Sequence, residues 1–135
     1  MQRPYHHIIC TNMRTITSDK IPVPKGHYSP VIEHAGILYI SGQIPQDAAT
    51  LKVPPTIAEQ TELVLSKIDL LLNESGSSRN KVLQVRIYLS DISLWDEVNN
   101  IYSRFFGDHR PARCVVPVGK LHYGCLIEAE AVASL

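Results

Sequence analysis

The segment from Cys125 to Ala133 constrains the fold most, because its residues alternate in character along the chain. One set is apolar and mostly small: Cys125, Ile127, Ala129, Ala131 and Ala133. The intervening set carries two carboxylates: Leu126, Glu128, Glu130 and Val132. Successive side chains of a β-strand point to opposite faces of a sheet. The pattern therefore predicts a strand with one face suited to close helix packing and one face that no helix covers.

Two segments carry the signals of amphipathic helices. Thr56 and Glu59 have the spacing of a capping box, in which each side chain satisfies a free backbone N–H of the other residue. Apolar residues then recur at helical spacing until Gly76. They are Ile57, Val64, Ile68 and Leu71 or Leu72. The string Ser93-Leu94-Trp95-Asp96 repeats the capping spacing, so we expect a second helix from there to Gly107.

Four further segments are predicted to be strands: Thr11 to Ile16, Ile37 to Ser41, Val82 to Leu89 and Arg113 to Val118. In the third of these, one face should carry Leu83, Val85, Ile87 and Leu89. Two helices among about five or six strands predict a two-layer α+β sandwich. A length of 135 residues fits one domain, residues 1–135.

Charge and composition exclude several classes of function. Thirteen basic and thirteen acidic residues give a net charge of zero, which lacks the positive excess typical of nucleic-acid binding. The chain has no apolar run of about eighteen residues and no signal-peptide core at its N-terminus, so we expect a cytoplasmic protein without membrane contact. The three cysteines and six histidines lack ligand spacing, and no metal site or disulfide is expected.

The uncovered face of the sheet should mix charges of both signs with apolar groups. Its expected members are Arg86, Tyr88, Glu128 and Glu130, with Tyr39, Ser41 and Arg113 from neighbouring strands. Such a mixture suggests a face buried against other subunits, where each buried charge needs a partner. The net charge of zero adds little repulsion between copies. We therefore expect a closed homo-oligomer.

Several short strings resemble the YjgF, or reactive-intermediate deaminase (Rid), family. They are Tyr28, Ser41-Gly42-Gln43-Ile44-Pro45, Val98-Asn99 before Phe105-Phe106, Pro111-Ala112-Arg113, and Ile127-Glu128-Ala129-Glu130-Ala131-Val132-Ala133. The match runs from Gly26 to Ala133, and its strings are specific in combination. The resemblance implies a chorismate-mutase-like α+β sandwich, with a mixed sheet and two helices on one face. It also implies a homotrimer with clefts between subunits.

The resemblance further implies a reaction. Family members hydrolyse reactive enamines and imines, such as 2-aminoacrylate, 2-iminopropanoate and 2-iminobutanoate, to 2-keto acids and ammonia. The implied ligand is a small 2-imino or 2-keto carboxylic acid. No metal or organic cofactor is implied.

Arg113 is the first candidate catalytic residue. A guanidinium offers a rigid two-donor fork that matches a carboxylate, and the family counterpart of Arg113 grips the substrate carboxylate. From spacing alone, a salt bridge to Glu128 or Glu130 is the commoner role for a strand arginine. The Pro111-Ala112-Arg113 context favours the substrate role.

Glu128 is the second candidate catalytic residue, since the family's equivalent acid lies near the bound imine and positions or activates water. Burial raises the pKa of a carboxyl group, whereas a nearby guanidinium lowers it. A salt bridge to Arg86 or Arg113 is the alternative role for Glu128. Glu130 lacks the motif position and is predicted to be structural.

Four residues are further candidates for substrate binding. Tyr28 and Ser41 match family positions that line the cleft, as an aromatic lid and a neighbouring hydroxyl. Gly42 has no Cβ, so its backbone N–H can approach a carboxylate closely. Asn99 also matches a cleft position, although an asparagine early in a helix is often only a solvated polar residue.

The chain departs from the family pattern near the site. The position that often holds a cysteine is Val115, and Cys114 should face the opposite side of its strand from Arg113. His27 and His122 stand where prolines are usual, and the loop from Phe106 to Pro111 is short. These departures affect the shape of the cleft and therefore the substrate.

Two other functions fit the same residues. A trimer that binds or senses a carboxylate ligand without turnover would use Arg113 in the same way. A ribonuclease or translation inhibitor, activities also attributed to the family, is disfavoured by the zero net charge and the lack of a basic stretch interleaved with aromatic residues.

Overall fold

The computed structural model describes residues 12–135, which form a six-stranded sheet and two α-helices. The elements are β1 (Arg14–Thr15), β2 (Val31–His34), β3 (Ile37–Gln43), α1 (Ile57–Glu74), β4 (Val82–Leu89), α2 (Trp95–Phe106), β5 (Ala112–Pro117) and β6 (Ile127–Ser134). The strand order is β1-β2-β3-β6-β4-β5. Only β4 and β5 are parallel neighbours, as the α2 crossover between them requires. The predicted α+β fold with a mixed sheet is confirmed.

The core lies between the helices and one face of the sheet. Alternate residues of β6 are buried, and their neighbours are half-buried, as the sequence predicts. The small side chains of Ala129, Ala131 and Ala133 lie in one cluster with the apolar stripes of α1 and α2. The buried helix residues include Val64, Leu65, Ile68, Leu72, Val98, Ile101 and Phe106. Both helices therefore pack on one face, and the other face of the sheet is open.

The two helices begin differently. Thr56 caps α1 as predicted, since its hydroxyl accepts a hydrogen bond from the Glu59 backbone N–H at 3.2 Å, but the predicted return bond from the Glu59 side chain to the Thr56 N–H is not formed. The predicted Ser93 cap of α2 is wrong. A short 3₁₀ turn, Ile92–Leu94, precedes α2, and the Asp91 carboxylate accepts from the Ser93 backbone N–H at 2.8 Å. The Asp91 carboxylate thus caps the 3₁₀ turn, whereas α2 begins after Leu94 without a side-chain cap.

Two strand predictions need correction. Strand β2 was not predicted, although it pairs with β3 through a two-residue turn at Ala35 and Gly36. Both turn residues have positive φ, 52° and 77°, as type I′ hairpin turns require. In β4, a register irregularity between Val82 and Gln84 disturbs the alternation. Val82 is consequently buried, and Leu83 is exposed rather than in the core.

The first predicted strand is present only as Arg14–Thr15, and Thr11 lies outside the described residues. At the other end, β5 and β6 begin and end within two residues of their predicted bounds. Within residues 12–135, neither helix is long and apolar enough to cross a membrane.

Candidate active site

The predicted site residues fall into two groups on opposite faces of the sheet. The Glu128 group comprises Ser41, Gly42 and Glu128, and Tyr28 lies in the exposed segment before β2 that the Ser41 hydroxyl contacts at Ser29. The Arg113 group comprises Arg113 and Asn99.

A β-bulge in β3 places two members of the Glu128 group. Ile40 pairs with Ala131 and Gln43 pairs with Ala129, so both Ser41 and Gly42 lie opposite one residue of β6. Bulges of this kind reorient side chains and are common beside active sites. The Ser41 hydroxyl donates to the Ser29 carbonyl at 2.6 Å, which fixes the bulge against the segment that carries Tyr28.

Gly42 makes room for the carboxylate of Glu128. A Cβ added at position 42 would lie 3.0 Å from Oε2 of Glu128, closer than ordinary van der Waals contact. The sequence predicted that Gly42 would admit a ligand carboxylate to its backbone. In the structure, the carboxylate of Glu128 in the same chain occupies the space that a side chain at position 42 would need.

The two acidic residues of β6 on the open face differ in their partners. Glu130 accepts a hydrogen bond from the Tyr88 hydroxyl at 2.5 Å and lies 3.8 Å from the Arg86 guanidinium. The hydrogen bond to Glu130 raises the pKa of Tyr88 to about 12. Within residues 12–135, Glu128 makes neither a hydrogen bond nor a salt bridge through its side chain. The Glu130 carboxylate is thus used in contacts within the sheet, whereas the Glu128 carboxylate has no such partner among these residues.

Its surroundings change the acidity of Glu128. Burial raises the pKa of this carboxyl group above its ordinary value, the negative charge of Glu130 adds to the rise, and His122 opposes it. Glu128 and Gly42 line a shallow cavity of about 320 Å³ on the open face. The remaining lining residues are Tyr88, Val118, Lys120, Leu121 and Glu130. A small polar molecule can therefore reach the Glu128 carboxylate.

Arg113 lies on the helix side of the sheet, and its prediction for the open face is wrong. Its strand β5 pairs with β4 so that Arg113 is beside Val85, which is fully buried under the helices. Neighbouring strand residues in register share a face. Cys114 is beside Arg86 and lies on the open face, so the predicted opposition of Arg113 and Cys114 is confirmed. Val115 packs against the core on the side of Arg113.

Helix α2 holds the Arg113 guanidinium. Its Nη1 donates a hydrogen bond to Oδ1 of Asn99 at 2.9 Å. Its Cζ lies 4.7 Å from the centre of the Tyr102 ring and 5.6 Å from that of Trp95. Sequence reasoning paired Arg113 with Asn99 in one cleft but missed both aromatic residues. The spacing of 95, 99 and 102 places all three on one stripe of α2, and this spacing was the available signal.

Arg113 and Glu128 do not meet within one chain. On β4, Arg113 is level with Val85, whereas Glu128 is level with Tyr88, and the two side chains leave opposite faces of the sheet. The alternative salt bridge of Arg113 to Glu128 or Glu130 is not formed. Within residues 12–135, no three His, Cys, Asp or Glu side chains are grouped to hold a metal ion. Among residues 12–135, what remains is an arginine that has no carboxylate partner and a carboxylate that has no hydrogen-bond or salt-bridge partner, each able to bind part of a small molecule.

Known proteins share this arrangement of strands and helices. A RutC family protein of Pyrococcus abyssi is 40% identical over 119 residues, covering 87% of this chain and 94% of its own. The structure of YyfA from Yersinia pestis, of the conserved Rid family, superposes with a TM-score of 0.87 at 35% identity and covers 92% of this chain and all of its own. RidA of an Antarctic Psychrobacter gives a TM-score of 0.85 at 30% identity, covering 90% of this chain and 99% of its own.

The fold is thus that of a Rid-type α+β protein. The family model described as endoribonuclease L-PSP matches residues 17–135. The chain belongs to this family, also called YjgF/Rid, as its sequence strings predicted.

Proposed function

We propose that this protein is a cofactor-independent deaminase that hydrolyses 2-imino acids, and the enamines that form them, to 2-keto acids and ammonia. One observation carries the proposal: within residues 12–135, Arg113 is held by α2 without any carboxylate partner. An arginine that is positioned and yet unpaired offers its remaining donors to a carboxylate ligand. Membership of the Rid family supports the same ligand class.

We further propose that the site is shared between subunits of a homotrimer. Arg113 lies on β5 at the edge of the sheet, where a second copy has access to it. Glu128 lies on the open face, in the cavity beside Gly42. The Arg113 group of one copy would face the Glu128 group of the next copy, with Tyr28 and Ser41 lining the cleft. Such head-to-tail contacts close into rings when the rotation permits.

In this site Arg113 binds the carboxylate of the substrate. Nη1 is occupied by Asn99, so the remaining donors of the guanidinium are available to the two carboxylate oxygens. Fixing the carboxylate places the C=N carbon beside a bound water, which makes the attack effectively unimolecular. Binding both carboxylate oxygens in one orientation needs the two-donor guanidinium rather than the single charge of an ammonium group.

Glu128 moves the proton. Its carboxylate accepts a proton from water as the water oxygen bonds to the imine carbon, and the imine nitrogen takes up a proton. In the resulting tetrahedral adduct, the protonated Glu128 returns its proton to the amine nitrogen. The C–N bond then breaks and releases ammonia, as the hydroxyl group loses its proton to solvent and the C=O bond forms. The raised pKa of Glu128 brings its basicity closer to neutral pH, which favours this role. An enamine substrate first gains a proton at carbon, from solvent or from Glu128.

The test generates 2-aminoacrylate in solution with an amino-acid dehydratase and follows imine decay with and without the protein. The wild type should accelerate the decay, and Arg113→Ala should abolish the acceleration. Arg113→Lys should rescue poorly because an ammonium cannot form the planar fork. Arg104→Ala is a matched control, since Arg104 is an exposed residue in the last turn of α2 and belongs to neither site group. Full activity in Arg113→Ala would overturn the proposal.

A carboxylate-binding trimer without turnover is the second candidate function. It is favoured by the separation of Arg113 from Glu128 within one chain, because binding needs only the Arg113 group. If the wild type leaves imine decay unchanged but binds pyruvate, this function replaces the first. The ribonuclease activity in the family description is not proposed, because the net charge is zero.

A further inference from the structure

The Arg113 guanidinium rests on a stripe of α2 made of two aromatic rings and one amide. Tyr102 lies closer, at 4.7 Å, and is 7% exposed. Trp95 is at 5.6 Å and remains 36% exposed at the start of the helix. Asn99 lies between them in sequence and accepts the hydrogen bond from Nη1. All three contacts come from one rigid element.

These contacts restrict the guanidinium in different ways. Aromatic faces attract a cation and also allow a planar guanidinium to stack, so they limit its tilt. The hydrogen bond to Asn99 uses one nitrogen and limits rotation within the plane. A long arginine side chain without such contacts would lose considerable rotamer entropy when it binds a ligand. Holding it in advance reduces that cost.

We infer that Trp95 and Tyr102 are positioning residues, which hold the Arg113 guanidinium so that its unused N–H donors are presented to a carboxylate ligand. The inference rests on the proposed function for the identity of the ligand class. It goes beyond that function because it assigns part of the affinity for the carboxylate ligand to two residues that need not touch the ligand.

The same geometry supplies a direct signal. Trp95 is the only tryptophan of the chain, and it lies near the guanidinium that would bind the carboxylate. Binding of pyruvate should therefore change the tryptophan fluorescence in a saturable way. The change should disappear in Arg113→Ala, which retains the tryptophan but not the cation.

Calorimetric titration with pyruvate tests the positioning role in variants. Trp95→Leu and Tyr102→Leu should each raise the Kd for pyruvate about tenfold, the scale of one partly buried cation–π contact. Trp95→Phe and Tyr102→Phe should restore most of the affinity, because each returns a ring to the guanidinium. If the two residues only filled space in the fold, the phenylalanine variants would not recover more affinity for pyruvate than the leucine variants.

A second cation–π pair on α2 provides the matched control. Arg79 lies 4.0 Å from the centre of the Phe105 ring, in a groove between α1 and α2 that contains no residue of either site group. Phe105→Leu removes this pair and should leave the Kd for pyruvate unchanged. Circular dichroism and thermal melting of every variant establish that it is folded.

The outcomes separate the inference from the proposed function. If Arg113→Ala binds pyruvate as tightly as the wild type, the proposed carboxylate site fails and the inference fails with it. If Arg113→Ala loses binding but folded Trp95→Leu and Tyr102→Leu keep wild-type affinity, the inference alone is wrong. An equal loss in Phe105→Leu would also overturn it, because the effect would then be one of general helix stability.

Discussion

At the scale of single residues, the candidate site depends on which charged and hydrogen-bonding atoms have no partner within the chain. Glu130 is occupied by Tyr88 and Arg86, and Asn99 occupies one nitrogen of Arg113. Glu128 remains without a partner among the described residues. Its pKa is raised by burial rather than lowered by a salt bridge. Glu128 is therefore the carboxylate of the open face that remains available to a ligand, and its position depends on the glycine beside it.

The first prediction concerns that glycine. Gly42→Ala places a Cβ 3.0 Å from Oε2 of Glu128, so the carboxylate must move. Imine hydrolysis should then fall at least about tenfold, since small displacements of a catalytic group are costly. Gly119→Ala is the control, because a Cβ there meets no atom within 4 Å. Equal kcat/KM values for the two variants would contradict the assigned role of Gly42.

The second prediction concerns pH. Glu128 must be ionised to accept a proton, and its pKa lies above the ordinary value of 4.5. The rate should therefore fall as pH decreases through this raised pKa, at a higher pH than for an unperturbed carboxyl group. Glu128→Gln should remove this acidic limb and lower kcat by about 10²- to 10⁴-fold. A pH–rate profile that keeps the limb in Glu128→Gln would assign it to another group.

The third prediction concerns Tyr102. Its hydroxyl is buried and has no hydrogen-bond partner among residues 12–135, and burial raises its pKa to about 12. Tyr102→Phe removes this unsatisfied group and should increase the free energy of unfolding by about 1 kcal/mol. Urea unfolding at fixed protein concentration measures the change as a shift of midpoint at constant m-value. A loss of stability would show that the hydroxyl has a partner in the assembled protein.

At the scale of elements, local signals were sufficient for the helices and long-range pairing decided the rest. The alternation of β6 predicted its two faces, because one strand carries its own pattern. The same reasoning failed for Leu83 and for Arg113. A bulge reverses the faces of β4 at Leu83, and the register of β5 on β4 determines the face of Arg113. Both depend on pairing partners distant in sequence, which local periodicity cannot reveal.

The residues of the candidate site could be predicted from the sequence only in part. Family strings located Arg113, Glu128 and Asn99, but nothing local indicated that the first two leave opposite faces. Trp95 and Tyr102 were missed because aromatic residues on a helix stripe are usually core residues. Only the folded chain shows that both rings lie close to Arg113, because α2 and β5 are separate elements of the sequence.

The fourth prediction uses the correctly and incorrectly predicted helix caps as a pair. Thr56→Ala removes the hydroxyl that accepts from the Glu59 N–H and should destabilise the protein by about 1 kcal/mol. Ser93→Ala should change the free energy of unfolding little, because the Ser93 side chain makes no capping hydrogen bond to α2. Denaturant titration of both variants measures the difference. Equal losses would mean that the Ser93 side chain also caps α2.

At the scale of the whole molecule, the sheet separates the two groups of candidate site residues. The Arg113 group lies at the β5 edge on the helix side, and the Glu128 group lies on the open face. No small movement within one chain brings them together, because the sheet itself lies between them. A second copy that places its edge over the open face would complete the site. The central claim is therefore that function requires the assembly.

Subunit complementation tests this claim most directly. Arg113→Ala subunits supply Glu128, and Glu128→Gln subunits supply Arg113. The two should each be inactive alone, and the co-expressed mixture should form particles of three times 15.1 kDa by light scattering. With random mixing in a trimer, one shared site in about four receives both intact residues, so about a quarter of wild-type imine hydrolysis should return. Mixed trimers as inactive as their parents would contradict the account.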